Sequence, residues 1–259
     1  MSENLIVEPL DRRPELSAVA DKLEHLWPPF MQQDPTANLY YPDAERNHPE
    51  HVLVAYEPPD VPVALAYTVP FAFGTGPRTE LPDDGWDGVI RWAAQDRDRG
   101  TAPTHVSALE ISIRPDRRGQ GLAAVMLAAM HENVRRLGFT ELVAPVRPSA
   151  KHQEPHTPMS EYAYRTRPDG LPADPWLRVH ARAGAEIVKV APRSMVIPGT
   201  LADWRRWTGL PFDRSGDVVV PNALVPVHCS VEHDHVVYVE PNVWMRHAIA
   251  PHPVNTASA

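Results

Sequence analysis

Leu109-Glu110-Ile111-Ser112-Ile113-Arg114-Pro115-Asp116-Arg117-Arg118-Gly119-Gln120-Gly121-Leu122-Ala123 runs from an apolar segment through a glycine-bearing loop straight into a helix-forming one. The pattern predicts a strand over His105–Ile113, a tight loop over Arg114–Gly121 and a helix over Leu122–Leu137 closed by Gly138. At such a junction the first amides of the helix have no partner within the helix. With the helix dipole they form a site for an anion, most often a phosphate. Gly119 and Gly121 lack a Cβ and let the backbone approach a ligand closely. Arg117 and Arg118 add positive charge at the mouth, and Ala123, Ala124 and Ala128 keep the helix slim.

Outward from this segment, Thr140–Val146 reads as the next strand, followed by a Pro- and His-containing insertion over Arg147–Asp174 and a short helix at Trp176–Ala183. Ala185–Val190 and Ser194–Ile197 are expected to form a final strand pair. Upstream, Pro14–Leu26 has apolar residues three and four apart, as an amphipathic helix requires, and Trp27-Pro28-Pro29 stops it. His51–Tyr56 and Val63–Phe73 read as an antiparallel pair turning at Pro58-Pro59-Asp60, and Trp86–Ala94 as a helix ending in the polar run Gln95–Gly100. After Gly199 come a short helix at Leu201–Trp207 and two strand-like runs, Leu224–Val231 and Val236–Val239, joined as a hairpin by Glu232–His235. Trp204, Trp207 and Trp244 suggest that this tail packs onto the rest. The expected division is a main domain over 1–198 and an extension over 199–259.

The loop spacing fits neither Gly-x-x-x-x-Gly-Lys-Ser/Thr nor Gly-x-Gly-x-x-Gly with a later acidic residue. Arg118-x-x-Gly121-x-Ala123 instead resembles the pyrophosphate-binding signature of the GCN5-related N-acetyltransferase (GNAT) family, Arg/Gln-x-x-Gly-x-Gly/Ala at a strand-to-helix turn. Ile113-Arg114-Pro115 is similar to the family's Val-x-Pro exit from its fourth strand. Leu137-Gly138-Phe139 closes the helix as the family would, and Trp176–Ala185 looks like its late helix leading into the sixth strand. The resemblance covers 105–198 firmly and extends to 5–73. It implies an α/β fold with a mixed, mostly antiparallel sheet flanked by helices, here with the C-terminal extension. It also implies transfer of an acyl group from acetyl-coenzyme A, or another acyl-coenzyme A, to an amine, usually of a small molecule, by direct attack on the thioester.

Carried over residue by residue, Glu110, Ile111, Ser112 and Ile113 line the pantetheine arm in a V-shaped cleft between the fourth and fifth strands. Arg118, Gly119, Gln120, Gly121, Leu122 and Ala123 hold the pyrophosphate. The reaction needs a base for the amine proton and an acid for the departing thiolate. Glu110, the acidic residue of its strand, is the candidate base; strand alternation equally allows it to face solvent or to pair with an arginine such as Arg147. In many relatives the acid is a tyrosine four positions before a glycine in the late helix. Counting back from Gly184, that position is His180, whose unperturbed pKa of about 6.5 suits proton donation near neutrality. Tyr162 and Tyr164 are the next candidates. The altered acid leaves open an acyl-coenzyme A sensor, or a GNAT-like decarboxylase or hydrolase of acyl thioesters.

A net charge of −8 argues against a nucleic-acid partner. Leu122–Met130, the longest apolar run, is too short for the roughly 20 residues of a membrane span, and no signal peptide begins the chain. Cys229 is the single cysteine, which excludes an internal disulfide and, with the missing signal, points to the cytoplasm. Thirty prolines indicate long ordered connections, and the aromatic tail offers a surface for a homodimer. His152-x3-His156 and His228-x4-His233-x-His235 lack the cysteines or His-Glu-x-x-His context of a metal site, so no metal is expected. No Gly-x-Ser-x-Gly elbow is present. The insertion, with Tyr162 and Tyr164, reads as a lid over the cleft, and Arg165, Arg167 and Arg178 are candidates to hold a carboxylate or the coenzyme's phosphates.

Overall fold

The computed structural model describes residues 5–20, 23, 27–74 and 76–250. Its sheet has nine strands in the order β1 (Ile6–Pro9), β2 (Val52–Glu57), β3 (Val61–Phe71), β4 (His105–Ile113), β5 (Glu141–Val146), β9 (His235–Ala248), β8 (Val227–Ser230) and β7 (Gly216–Val218), with β6 (Glu186–Gly199) also paired to β9. All pairings are antiparallel except β4 with β5. The mixed, mostly antiparallel sheet flanked by helices is the architecture expected from the sequence.

Two helices cover one face. From α4 (Leu122–Arg136), Met126, Met130 and Val134 bury themselves against Ala55, Ala64, Ala66, Val106 and Leu142. From α6 (Pro175–Arg182), Leu177 packs on Ala144, Val146, Val243 and Met245. Asp174 starts α6 by accepting from the amides of Trp176 (2.8 Å) and Leu177 (3.1 Å), with Pro175 at the first position, where it has no amide to lose. The opposite face carries α3 (Gly85–Arg99), whose Val89 and Ala93 meet Phe71, Val143 and Trp244. Adjacent residues along β5 and β9 thus serve opposite layers, as the pleat dictates.

Several elements differ from the sequence reading. The polar run after Ala94 continues α3 to Arg99: Asp96 is drawn inside by the Ala72 amide (2.7 Å) and Arg78 (2.6 Å), and Gly100, at φ 64°, ends the helix. The two runs expected to pair with each other are halves of β6, interrupted between Ala191 and Met195, and both pair with β9. Of the expected helix over 14–26, Pro14–Leu16 forms a 3₁₀ turn and Ser17–Ala20 a short α1; residues 21, 22 and 24–26 lie outside the described residues. Helix α2 (Pro35–Asn47) was not anticipated; Asp34 caps it at the amides of Thr36 (2.7 Å) and Ala37 (3.1 Å). The sequence division at 198/199 is crossed by the sheet, because β9 lies between β5 and β6.

At the N-terminal ends of α2 and α3, Asp34 and Asp87 are buried side by side, 0% and 3% exposed. Asp34 Oδ2 and Asp87 Oδ1 have no donor, a state that one proton shared between them relieves. Burial, then the Asp34 charge, raises the Asp87 carboxyl to about 8, and burial raises Asp34 as well. A carboxyl raised on folding stabilises the fold fully below its unfolded pKa of about 3.9, and that contribution disappears as pH climbs through the folded value. The expected outcome is a melting temperature that falls between pH 5 and pH 8. Asp87→Asn, which keeps an acceptor for the Val196 amide (3.2 Å), should flatten that slope. Thermal unfolding at pH 5, 6.5 and 8 checks it, and parallel slopes for the two proteins would refute the shared proton.

Candidate active site

The parallel pairing of β4 with β5 lasts for two register positions, Val106 with Leu142 and Ser107 with Val143. Beyond them the strands part, leaving a cleft of about 1200 Å³ lined by both strands, the 117–123 loop, α2 and α6. Along the free edge of β4, the Leu109 carbonyl accepts from Trp86 Nε1 (2.9 Å) and the Ile113 carbonyl from Arg118 Nε (3.2 Å). Alternation turns the backbone of Ile111 the same way, into the gap.

At the end of this edge, Gly119 and Gly121 adopt φ 78° and 79°, and Gly121 is the N-cap of α4. Ala124 bonds back to the Gly121 carbonyl (3.1 Å), whereas the amides of residues 119–123 have no hydrogen-bond partner among the described residues. A Cβ built on either glycine meets nothing within 4 Å, so the space before these amides is open. Open amides, a helix N-terminus and a bare backbone suit a diphosphate. Gln120 is turned aside, its side chain donating to the Asp116 carbonyl (3.4 Å), and it does not line the cleft. The charge expected from both arginines is reduced, since Arg117 is held by Glu57.

Glu110 faces the cleft, which resolves what alternation left open. One oxygen accepts from Trp27 Nε1 (2.8 Å) and Ser112 Oγ, the other from the Tyr41 hydroxyl. Arg147 pairs instead with Glu240 (2.9 Å), a fully buried carboxylate that also accepts from Tyr238 (2.8 Å) and Asn242 (3.0 Å). Tyr41 stacks on Trp86 at 6.0 Å, so the Glu110 side of the cleft is an aromatic wall with a carboxylate set in it.

His180 also lines the cleft, 3% exposed, with Trp176 edge-on to it at 4.6 Å. Burial, then His247 and His131, lowers its pKa to about 3, and burial lowers His247 to about 4. The sequence reading gave His180 an ordinary imidazole pKa; in the folded chain the ring is neutral throughout the physiological range. Tyr162 and Tyr164 are corrected too. Tyr162 donates to Asp174 (2.9 Å) in the core beneath the insertion, Tyr164 is exposed, and neither lines the cleft.

The insertion is an ordered rim: Ser149 and His152 border the cleft, and buried Lys151 ties the insertion to the Leu224 carbonyl (2.8 Å). Its arginines are engaged locally. Arg165 bonds Glu154 and Glu161, and Arg178 bonds the carbonyls of Pro172 (2.9 Å) and Ala173 (2.8 Å). Cys229 is buried, and its thiol is pushed up by that burial. No group of three or more His, Cys, Asp or Glu side chains placed to hold a metal occurs among the described residues. No described helix is long and apolar enough to cross a membrane.

No protein-family model matches the chain. A relative, arginine N-acetyltransferase avaD of Aspergillus versicolor, is 30% identical over 279 residues, covering 92% of this chain and 91% of the relative. The chain belongs to the GCN5-related N-acetyltransferase family. Its fold is similar to two solved structures. The loading GNATL domain of CurA from Lyngbya majuscula has a TM-score of 0.60 at 19% identity, covering 95% of this chain and 97% of that one. The GphF GNAT-like decarboxylase in complex with isobutyryl-CoA has a TM-score of 0.56 at 14% identity, covering 96% and 100%. This GNAT protein is an N-acyltransferase that uses an acyl-coenzyme A as co-substrate and an amine as acceptor.

Trp27, Tyr41, Trp86, Glu240, His131 and His247 were missed in the sequence. Asp34-Pro35, a capping residue followed by proline, was the available signal for the helix that carries Tyr41. The others reach the site through pairings far apart in the chain.

Gly121→Ala tests the diphosphate loop. A methyl at φ 79° costs about 1–2 kcal/mol of backbone strain and projects into the space the ligand would fill. Calorimetry should show at least about tenfold weaker coenzyme A binding, the equivalent of 1.4 kcal/mol. Unchanged affinity would remove the loop from the binding site.

Proposed function

We propose that the chain transfers an acetyl group from acetyl-coenzyme A to arginine, or to a small molecule carrying an arginine side chain. In this reading Glu110 is the base and His180 the proton donor to the leaving thiolate. The observation that carries it is the Glu110 carboxylate facing the cleft among Trp27, Tyr41 and Trp86. A planar cation gains from such a wall twice, by stacking on the rings and by pairing with the carboxylate. That the 30% identical relative is an arginine N-acetyltransferase supports the same acceptor class. Ile111 offers the pantetheine amides a strand edge, and the amides of residues 119–123 offer the pyrophosphate its donors. The three donors on Glu110 fix its position, so the carboxylate meets the acceptor nitrogen without first reorganising. Neutral His180 donates through a ring N–H rather than as an imidazolium. The single cysteine supports a cytoplasmic location.

Thiol release from acetyl-coenzyme A should be seen with arginine and fall steeply with citrulline, which has the same shape without the charge. Glu110→Gln should lower kcat by on the order of 10² to 10⁴ while coenzyme binding is kept. Equal rates with citrulline would remove the cationic acceptor. Thiol release without an acylated product would favour thioester cleavage over transfer.

A further inference from the structure

His180 is the first of three histidines in line. Its Nδ1 lies 3.0 Å from His247 Nε2, and His247 Nδ1 lies 3.0 Å from His131 Nε2. The rings come from three elements, α6, β9 and α4, that meet on one face of the sheet. His247 is fully enclosed, 1% exposed, while His131 is half-buried on α4. The outer nitrogens, His180 Nε2 and His131 Nδ1, have no hydrogen-bond partner among the described residues. The first belongs to a residue lining the cleft, and the second lies at the outer end of the line. Arg135 is the charged neighbour acting on His131, and no carboxylate pairs with any of the three rings.

Packing three imidazoles in contact is a poor way to fill a core. Each bond needs one ring to donate and the next to accept, so the line is satisfied only when all three share one tautomeric sense. Either sense serves: all three carry the proton on Nε2, or all three carry it on Nδ1. A proton taken at one end and released at the other converts one sense into the other without charging any ring.

We propose that His180, His247 and His131 form a proton wire between the acyl-transfer cleft and solvent, with His247 and His131 acting through His180. The inference rests on His180 facing the reacting groups, as in the reading above. An acceptor that arrives as a cation loses one proton before it attacks. That proton passes to His180 Nε2 as Nδ1–H of His180 moves to His247 Nε2, Nδ1–H of His247 moves to His131 Nε2, and Nδ1–H of His131 leaves to water. The nitrogen lone pair then forms the new C–N bond, the C–S bond breaks with its pair on sulfur, and the remaining amine proton goes to Glu110. The thiolate takes the proton from His180 Nε2, and the wire runs inward, drawing one from water at His131 Nδ1. The two crossings cancel, so the rings return to their starting tautomers. Glu110 gives its proton to solvent, which balances one proton released per cationic acceptor acylated. No imidazolium forms at any stage, which is what the enclosed rings require.

The test uses the whole enzyme with acetyl-coenzyme A and arginine. His247→Gln hydrogen-bonds but cannot hop a proton, and His131→Ala opens the outer end at a half-buried position. Both should lower kcat on the order of 10- to 100-fold, leaving KM for the coenzyme and its calorimetric affinity unchanged. A bowl-shaped proton inventory in H₂O/D₂O mixtures should become linear in both, and added imidazole should restore rate to His131→Ala alone. If both variants keep kcat within twofold and the wild-type inventory is linear, while His180→Ala is impaired, the wire is wrong and the role of His180 survives. If His180→Ala is equally active, the reading of His180 itself fails.

Discussion

Two residues of parallel pairing hold β4 to β5, and the rest of the site follows from how little that is. A sheet of this width would ordinarily continue its ladder. Here β5 turns its other edge to β9 over six positions, from Glu141 with Ala248 to Val146 with Val243, so it stays anchored while it leaves β4. The cleft is thus flanked by a β5 whose far edge is paired to β9 and whose near edge leaves β4 after two positions. The helix that begins at the tip of β4 places its open amides at the end of the same gap, so one divergence supplies both a wall for an extended arm and a donor cluster for its charged end. Trp86 and Arg118 each occupy one carbonyl of that edge and confine the free backbone to the stretch around Ile111.

Several polar groups are buried in or near that gap. Glu110, Glu240, His180 and the Asp34–Asp87 pair are all enclosed or nearly so, and each is accommodated differently: by donors, by an arginine, by a tautomeric relay and by a shared proton. An enclosed polar group is costly when unpaired, and these arrangements conserve pairing while leaving one atom of some groups toward the cleft.

Local signals in the sequence were sufficient for the strand, loop and helix from His105 to Leu137, because period, glycine placement and capping all agree there. The glycine turn with open amides at 119–123 was legible for the same reason. The face presented by Glu110 was not, since it depends on Trp27 and Tyr41, 83 and 69 residues away. His180 was located by its spacing to Gly184, yet its protonation was misjudged: the shift comes from enclosure and from His247, 67 residues distant, neither of which leaves a trace in the local sequence. Helix α2 escaped notice because Leu39 is exposed, Pro42 lies inside the helix and the apolar period is weak, so its capping aspartate was the one usable sign. The tail after Gly199 was expected to pack onto the rest as an extension with its own hairpin, but the length of β9, which pairs it with β5, β6 and β8, is decided by the partners it meets.

The position of β9 has a consequence for how the chain reaches its native state. The last strand in sequence is the innermost of its half of the sheet, bridging β5 and β6. Until it is synthesised and inserted, both of those strands present bare edges, and such edges invite pairing with other chains. Contacts of such high sequence separation are formed against a large loop-closure entropy and slow the search for the native topology. During translation, therefore, the half of the molecule that forms the cleft's far wall stays open until β9 has emerged and joined it.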